Sequence, residues 1–218
     1  MTRSNLGPSE RALVAAFLSV KPGARHFVHE TVHDAPRRTA WTRLFGSEGE
    51  LVPHIDKARI IVSLDSDFLD ADGPMLAHTH GFAKGRALDE SGHEHAGLSR
   101  LYVFESAMTV TGSNADERRA VRPSQMAALA NALRKALEGD GAALEEFSTE
   151  AHIEPELLAA LMKDLQDHPG EVVVVAGPHL PETVHVAVAA INRAMGAFGT
   201  TLTWSPEPAT LPVTPPDT

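Results

Sequence analysis

The chain has 218 residues, 43% of them hydrophobic, which suits one large or two small globular domains with a substantial buried core. Its formal net charge of −10 argues against unaided binding to nucleic acid, because contacts with phosphates require a basic face. The sequence contains no cysteine, which excludes disulfides, thiolate zinc sites, cysteine nucleophiles and all-cysteine iron–sulfur clusters.

Alternating apolar patterns along the chain predict both helices and strands. Four successive valines over 172–175 need cover on both faces, which is typical of a parallel sheet between helices. The segment over 58–64 is β-branched and nearly continuous, so it is a second buried strand. We predict helices over 9–20, 35–45, 72–84, 123–137, 154–168 and 181–195. The predicted strands lie over 26–30, 58–64, 101–104, 171–177 and 200–204. A polar loop is predicted over 85–97 and a further loop over 109–114.

This alternation predicts an α/β fold, a mostly parallel twisted sheet of about five strands with helices on both faces, as in a Rossmann-like three-layer sandwich. Residues 1–140 form the first α/β lobe, and residues 141–204 form a second segment that packs on the same sheet. Residues 205–218 form a Pro-rich tail. Ligands of such sheets bind outside the carboxyl ends of the strands, so the residues after each strand are the first candidates for a site.

The amino terminus and the apolar runs bear on localisation. No run approaches the ~20 apolar residues of a membrane span. The first 20 residues include an apolar patch but also Glu10 and Arg11, which favours an amphipathic helix over a signal peptide. We therefore expect a soluble chain that reaches a membrane only through partner proteins, and the sequence does not indicate its compartment.

A distinctive order of segments follows the strand over 101–104. The strand has an acidic end at 105–106, and Thr-rich residues follow at 109–111. Next come an Ala-Asp pair at 115–116, an extended run at 120–121 and an Arg-Pro helix start at 122–125. This order resembles the molybdopterin oxidoreductase (DMSO reductase-like) superfamily. The likeness is narrower to the molybdopterin-oxidoreductase-like subunit of alternative complex III, a respiratory quinol-oxidising assembly, in which segments similar to 61–69 and 100–112 occur.

The resemblance implies where a molybdopterin guanine dinucleotide would bind. Its pocket would lie between the strand ends at 65–67 and 105–109 and the helix start after Pro123. The residues that this comparison assigns to cofactor binding are Asp65, Ser66, Asp67, Glu105, Ser106, Thr109, Ser124 and Gln125.

Two departures from the family pattern argue against a retained cofactor. Catalytic relatives begin the helix with Pro-Gly-Thr-Asp, whereas this chain has Pro123-Ser124-Gln125-Met126 and lacks the acidic residue that recognises guanine. The corner over 65–69 has no glycine to let the backbone approach a phosphate, and its two carboxylates would repel a pyrophosphate. We expect no cofactor and no catalytic residue in this chain.

The resemblance therefore predicts a non-catalytic scaffold subunit of a respiratory electron-transport complex, which lacks iron–sulfur clusters and contacts iron–sulfur or cytochrome subunits. The first alternative is an oxidoreductase component that still binds molybdopterin guanine dinucleotide, with catalytic ligands on another chain. The second alternative is a small His-rich metal- or nucleotide-binding α/β module.

Two His-x-His pairs motivate the metal alternative. His78, His80, His93 and His95 flank a polar loop, and imidazole pairs bind Zn²⁺, Cu²⁺ or Ni²⁺. In an extended segment, both rings of such a pair share a face. The competing interpretation is a solvated loop, because a chain with 12 histidines contains such pairs by chance.

Overall fold

The computed structural model describes residues 1–31, 33–87, 98–206 and Thr214. Short 3₁₀ turns lie at Ile55–Lys57 and Pro123–Gln125. The helices and strands of the described residues are α1 (Pro8–Val20), α2 (Ala35–Phe45), β1 (Glu50–Pro53), β2 (Ile60–Leu64), α3 (Met75–Gly85), β3 (Arg100–Glu105), α4 (Val110–Ser113), β4 (Glu117–Ala120), α5 (Met126–Leu137), α6 (Ala142–Ala151), α7 (Pro155–Asp167), β5 (Val172–Ala176), α8 (Glu182–Ala194) and β6 (Leu202–Ser205).

The main sheet has four strands in the order β4-β3-β2-β5, and all of its neighbours pair in parallel. The chain moves from β2 outward to β3 and β4, then returns past them to place β5 on the opposite side of β2. The strand order therefore reverses between β2 and β5, which is where ligands bind in open α/β sheets.

Helices cover both faces of this sheet, so the predicted α/β fold class is confirmed. One face packs Val62, Phe104 and Val174 against α5, α7 and α8. The other face packs Ile61 and Val103 against α3 and β6. The period of two in each strand sends alternate side chains into the two cores, so the strands read as continuous apolar runs.

The sheet differs from the prediction at both ends of the chain. The strand expected at 200–204 is present as β6, but it pairs antiparallel with β1, a strand that we did not predict. The prediction of a strand at 26–30 is wrong, because in this segment only Val28 pairs, in an isolated bridge with Thr2. Helix α6 was not predicted, and the short α4 lies where the sequence predicted a loop.

The outer edge of β5 is closed by side chains. The Asn192 amide donates to the Val174 carbonyl at 2.8 Å and accepts from the Val174 N–H at 2.9 Å. The Thr201 hydroxyl donates to the carbonyl of Val172. These bonds satisfy backbone groups that an edge strand otherwise leaves open to another chain.

An aromatic cluster joins α2 to the small β1–β6 sheet. Trp204 stacks on Phe45 with a centroid distance of 4.3 Å and meets Trp41 edge-on at 6.5 Å.

Within the described ranges, no helix is both long enough and apolar enough to span a bilayer.

Candidate functional site

The candidate site lies at the carboxyl edge of the parallel sheet, where Asp65 follows β2 directly. Asp65 has a φ of 51°, a left-handed conformation that Asp tolerates because its short side chain bonds locally. Its carboxylate accepts hydrogen bonds from the Ser106 N–H at 2.8 Å and the Ser106 hydroxyl at 3.1 Å. Its Oδ2 lies 3.1 Å from Nε2 of His179. One carboxylate thus connects the ends of β2, β3 and β5.

A second group of carboxylates braces the loop after β2. Oδ1 of Asp67 accepts hydrogen bonds from the N–H and the hydroxyl of Thr111, at 2.9 and 2.8 Å. The Thr111 hydroxyl in turn accepts from the Leu69 N–H at 3.0 Å. Oδ2 of Asp72 accepts from the Asp67 N–H at 2.8 Å and from the Ser66 hydroxyl at 3.0 Å. Burial raises the pKa of the Asp72 carboxyl above its ordinary value.

Glu105, the last residue of β3, is buried with 1% of its surface exposed. It accepts from the Thr109 hydroxyl at 2.6 Å and the Thr109 N–H at 3.3 Å, and it forms an ion pair with Arg118 on β4. A Cβ at Gly112 would overlap this carboxylate, so the glycine makes room for it. Glu105 therefore joins β3, the start of α4 and β4.

Gly177 follows β5 and closes the edge on the other side of Asp65. Its N–H donates to the Leu64 carbonyl at 2.9 Å, and an added Cβ would overlap the Asp65 carbonyl. A single glycine followed by Pro178 and His179 is far short of the G-x-G-x-x-G pattern of a phosphate-binding turn. In the structure its N–H continues the ladder with β2, and its missing side chain permits the close approach of two backbones.

The Ser106, Asp65 and His179 side chains include the residue types of a nucleophilic triad, but not its geometry. A serine nucleophile requires a hydrogen bond to its histidine base. Here both Ser106 and His179 bind Asp65, and no hydrogen bond joins them to each other in the described structure. The arrangement holds three loops together and does not activate the hydroxyl.

The same geometry tests whether the edge fits a pterin dinucleotide. A pyrophosphate at this place would be bound by backbone N–H groups of the loops after the strands. The N–H groups of Ser106, Thr111 and Asp67 all donate to carboxylates of the chain. Bringing a pyrophosphate to this edge would break those bonds and place it beside several acids, so the residues present do not fit the group.

The remaining residues assigned to cofactor binding lie apart from this network. Ser124 is exposed and Gln125 is partly buried in the 3₁₀ turn before α5. In the described part of the chain neither side chain is hydrogen-bonded to the Asp65 network. The residue at the amino-terminal cap of α5 is Gln125, which makes no capping bond through its side chain.

The first pair of histidines expected to bind metal, His78 and His80, does not share a face. His78 is buried and His80 is exposed, because α3 is a helix and turns successive residues by about 100°. The shared face assumed for the pair required an extended segment. His93 and His95 lie outside the described residues. Among those that are described, no group of three or more His, Asp or Glu side chains could hold a metal ion.

Sequence reasoning missed Arg118 and Gly112 as partners of Glu105, and His179 as a partner of Asp65. A buried acid at a strand end requires a cation or several donors, and the Arg-Arg pair at 118–119, on the neighbouring strand β4, supplies that signal. The position of His179 depends on β5 lying next to β2, which the local sequence does not encode.

Comparisons with known proteins add no family to this description. A scan against models of protein families found no match to the chain. A search of the curated proteins also found no match. The fold defines the class as an α/β protein with a parallel sheet and a reversal of strand order beside β2, and any assignment of function depends on the geometry of the site.

Proposed function

We propose that the chain is a non-catalytic scaffold subunit of an electron-transfer complex, similar to the molybdopterin-oxidoreductase-like subunit of alternative complex III. It contributes no catalytic residue, iron–sulfur cluster or pterin dinucleotide, and its partners are the iron–sulfur or cytochrome subunits. The observation that carries the proposal is that the N–H groups at the sheet edge are bound by the chain's own carboxylates.

The chemistry of those carboxylates supports a structural role. Charge-assisted hydrogen bonds from N–H and hydroxyl groups are stronger than neutral ones, so each acid ties two or three segments together. Asp65 connects three strand ends, and Asp67 connects the loop after β2 to α4. At the edge where a relative would bind its cofactor, the N–H groups of Ser106, Thr111 and Asp67 are thus already hydrogen-bonded within the chain, which suits a scaffold.

An exposed apolar face on α1 supports the protein–protein part of the proposal. Leu13, Phe17 and Val20 repeat at helical spacing and are 72%, 55% and 70% exposed. Helix α1 contains no buried residue, so none of these side chains faces the core. A contiguous apolar stripe on a charged chain is typical of an interaction surface.

Purification from the native host tests both parts of the proposal. We expect molybdenum far below one atom per chain and no pterin fluorescence after oxidation. We also expect cross-linked subunits that carry iron–sulfur or haem absorption. Stoichiometric molybdenum with pterin would favour an oxidoreductase component that keeps the dinucleotide, and cross-links to no redox subunit would contradict the scaffold.

A charged residue on α1 makes the test specific. Phe17→Glu should abolish the cross-links to redox subunits without changing the fold, because Phe17 is mostly exposed. Leu76→Glu is the matched control, since Leu76 lies 79% exposed on α3. Equal cross-linking of the two variants would show that α1 is not the docking face.

A further inference from the structure

A partly open pocket lies beside β5 and next to the loop that follows β2. It encloses about 120 Å³ between α2, α8, β1 and the loop after β2. Its walls are mainly apolar, with Trp41, Phe68, Val175, Val188 and Leu202 among them. An engineered apolar cavity of about 150 Å³ in another protein binds benzene, so this space suits one six-membered ring.

Three nitrogen atoms of pocket-lining side chains are buried and lack a hydrogen-bond partner among the described residues. They are Nε of Arg37, Nε2 of His78 and Nε2 of His185. The two histidines are 5% and 4% exposed. An unmade hydrogen bond on a buried polar group is costly, so three such atoms in one pocket indicate a polar ligand.

The second nitrogen of each imidazole determines what the free nitrogen can do. Nδ1 of His78 lies 3.1 Å from the Phe68 carbonyl, which can only accept, so Nδ1 carries the proton. His185 makes a hydrogen bond to the backbone of Leu180, and burial lowers its pKa to about 4. Both rings are therefore neutral near pH 7, and each free Nε2 is an acceptor.

The other polar groups of the pocket are already paired. Asp72 accepts from Ser66 and Asp67, and the Asn192 amide is used by Val174. The guanidinium of Arg37 donates through Nη2 to Asp34 at 2.8 Å, which leaves Nε–H as a donor. The pocket thus offers one donor and two acceptors, next to apolar walls.

These groups select a neutral hydroxylated ligand over an ion. A hydroxyl group can accept from Arg37 and donate to an imidazole, whereas a carboxylate offers no donor to either histidine. A metal ion is disfavoured as well, since no group of three or more ligands occurs among the described residues. The volume of the pocket, its aromatic walls and this pattern of one donor and two acceptors together point to a ligand with one ring and a hydroxyl group.

We propose that the pocket between α2, α8 and the loop after β2 binds a small monocyclic phenol, whose hydroxyl accepts a hydrogen bond from Arg37 Nε–H and donates its one proton to the free Nε2 of either His78 or His185. The ring lies against Trp41 and Phe68. This proposal does not rest on the scaffold role, because Arg37, His78 and His185 take no part in the hydrogen bonds of Asp65, Asp67 or Glu105.

Titration of the full chain with phenol, toluene and benzoate, followed by nitrogen-15 NMR of the imidazoles, tests the proposal. We expect phenol to bind about tenfold more tightly than toluene and to shift the Nε2 resonance of the imidazole that accepts its proton, His78 or His185. Equal affinity for toluene, tighter binding of benzoate, or no saturable response to phenol would each overturn it. The last result would mean that water alone satisfies the three nitrogens.

Variants locate the binding. Replacing the accepting imidazole, by His78→Leu or by His185→Leu, should reduce the preference for phenol over toluene several-fold, and His80→Leu, on the exposed side of α3, should preserve it. Equal loss in all three variants would contradict the assignment. If a pocket variant fails to fold, the ligand series on the unaltered chain decides the question by itself.

Discussion

Two regions of the molecule, the carboxyl edge of the sheet and the pocket beside α8, differ in how their polar groups are satisfied. At the carboxyl edge, Asp65, Asp67 and Glu105 each accept several hydrogen bonds from the chain itself. In the pocket beside α8, His78 and His185 each keep a buried nitrogen without a partner among the described residues. Both regions are rich in ionisable side chains, so residue type alone does not distinguish them.

This difference separates a structural network from a binding site. A satisfied network stabilises one conformation and has nothing left to offer a ligand, whereas an unsatisfied group gains free energy when a ligand supplies its partner. The edge that the family resemblance selected is the satisfied one. The pocket that the sequence did not reveal is the unsatisfied one.

The largest expected effect comes from Gly177, where the edge is most tightly packed. Gly177→Ala places a Cβ against the Asp65 carbonyl, and because backbone cannot rotate away, we expect a loss of about 3–5 kcal/mol in the free energy of unfolding. Urea denaturation measures it. Gly23→Ala is the control, since nothing lies within 4 Å of its added Cβ, and it should change stability by less than about 0.5 kcal/mol.

Glu105→Gln tests the buried acid of the same network. The substitution keeps the shape but removes the charge that balances Arg118, so we expect a loss of about 3 kcal/mol by the same assay. Glu117→Gln on β4 serves as the control, because that side chain is 45% exposed. A loss below about 1 kcal/mol for Glu105→Gln would mean that the buried carboxylate is not a structural anchor.

The pocket predicts a pH dependence of stability. His185 has a pKa of about 4 in the folded chain against an ordinary 6.5, since burial and the Arg37 cation disfavour the protonated ring. The unfolded chain therefore binds more protons in this range, and stability falls as the pH drops from 6.5 toward 4. The loss from this group approaches about 3 kcal/mol.

Comparison with His185→Leu isolates that contribution. Arg37, Asp34 and His179 influence the imidazole of His185, and Asp72 has a raised pKa that acts in the opposite direction. All four remain in the variant, so its stability should decline less between pH 7 and pH 4 than that of the unaltered chain. Parallel declines of the two proteins would contradict a neutral buried His185.

The smallest effect is expected on α1. Phe17→Ser removes an exposed ring, so the free energy of unfolding should change by less than about 0.5 kcal/mol. A loss above about 1.5 kcal/mol would mean that Phe17 packs against the chain, and α1 would then not be a free docking face.

The sequence predicted the fold where local patterns were sufficient. The valine run of β5 and the β-branched β2 indicated a parallel sheet between helices, and the structure has one. It did not predict β1, because four residues ending in proline carry little strand signal and pair with a strand about 150 positions away. The alternation at 26–30 was misleading, since only one residue finds a partner there.

The candidate site was predictable only as a list of residues. The carboxyl ends of the adjacent parallel strands β2 and β3 carry Asp65, Glu105 and Ser106, so the proximity of these residues follows from the fold class. What they do depends on partners that come from distant segments, such as His179 beside Asp65 and Arg118 beside Glu105. The pocket residues Arg37 and His185 lie on α2 and α8, which are far apart in sequence, and no motif marks them.

The most direct test of the central claim is an amide NMR titration of the full chain with guanosine diphosphate and with inorganic pyrophosphate. If the carboxylates of the chain already bind the N–H groups of the sheet edge, the amides of Ser106, Thr111 and Asp67 should not shift in a saturable way with either ligand. Saturable shifts at those three amides would show that a phosphate can displace the carboxylates, and the account of the edge as a closed structural network would be wrong.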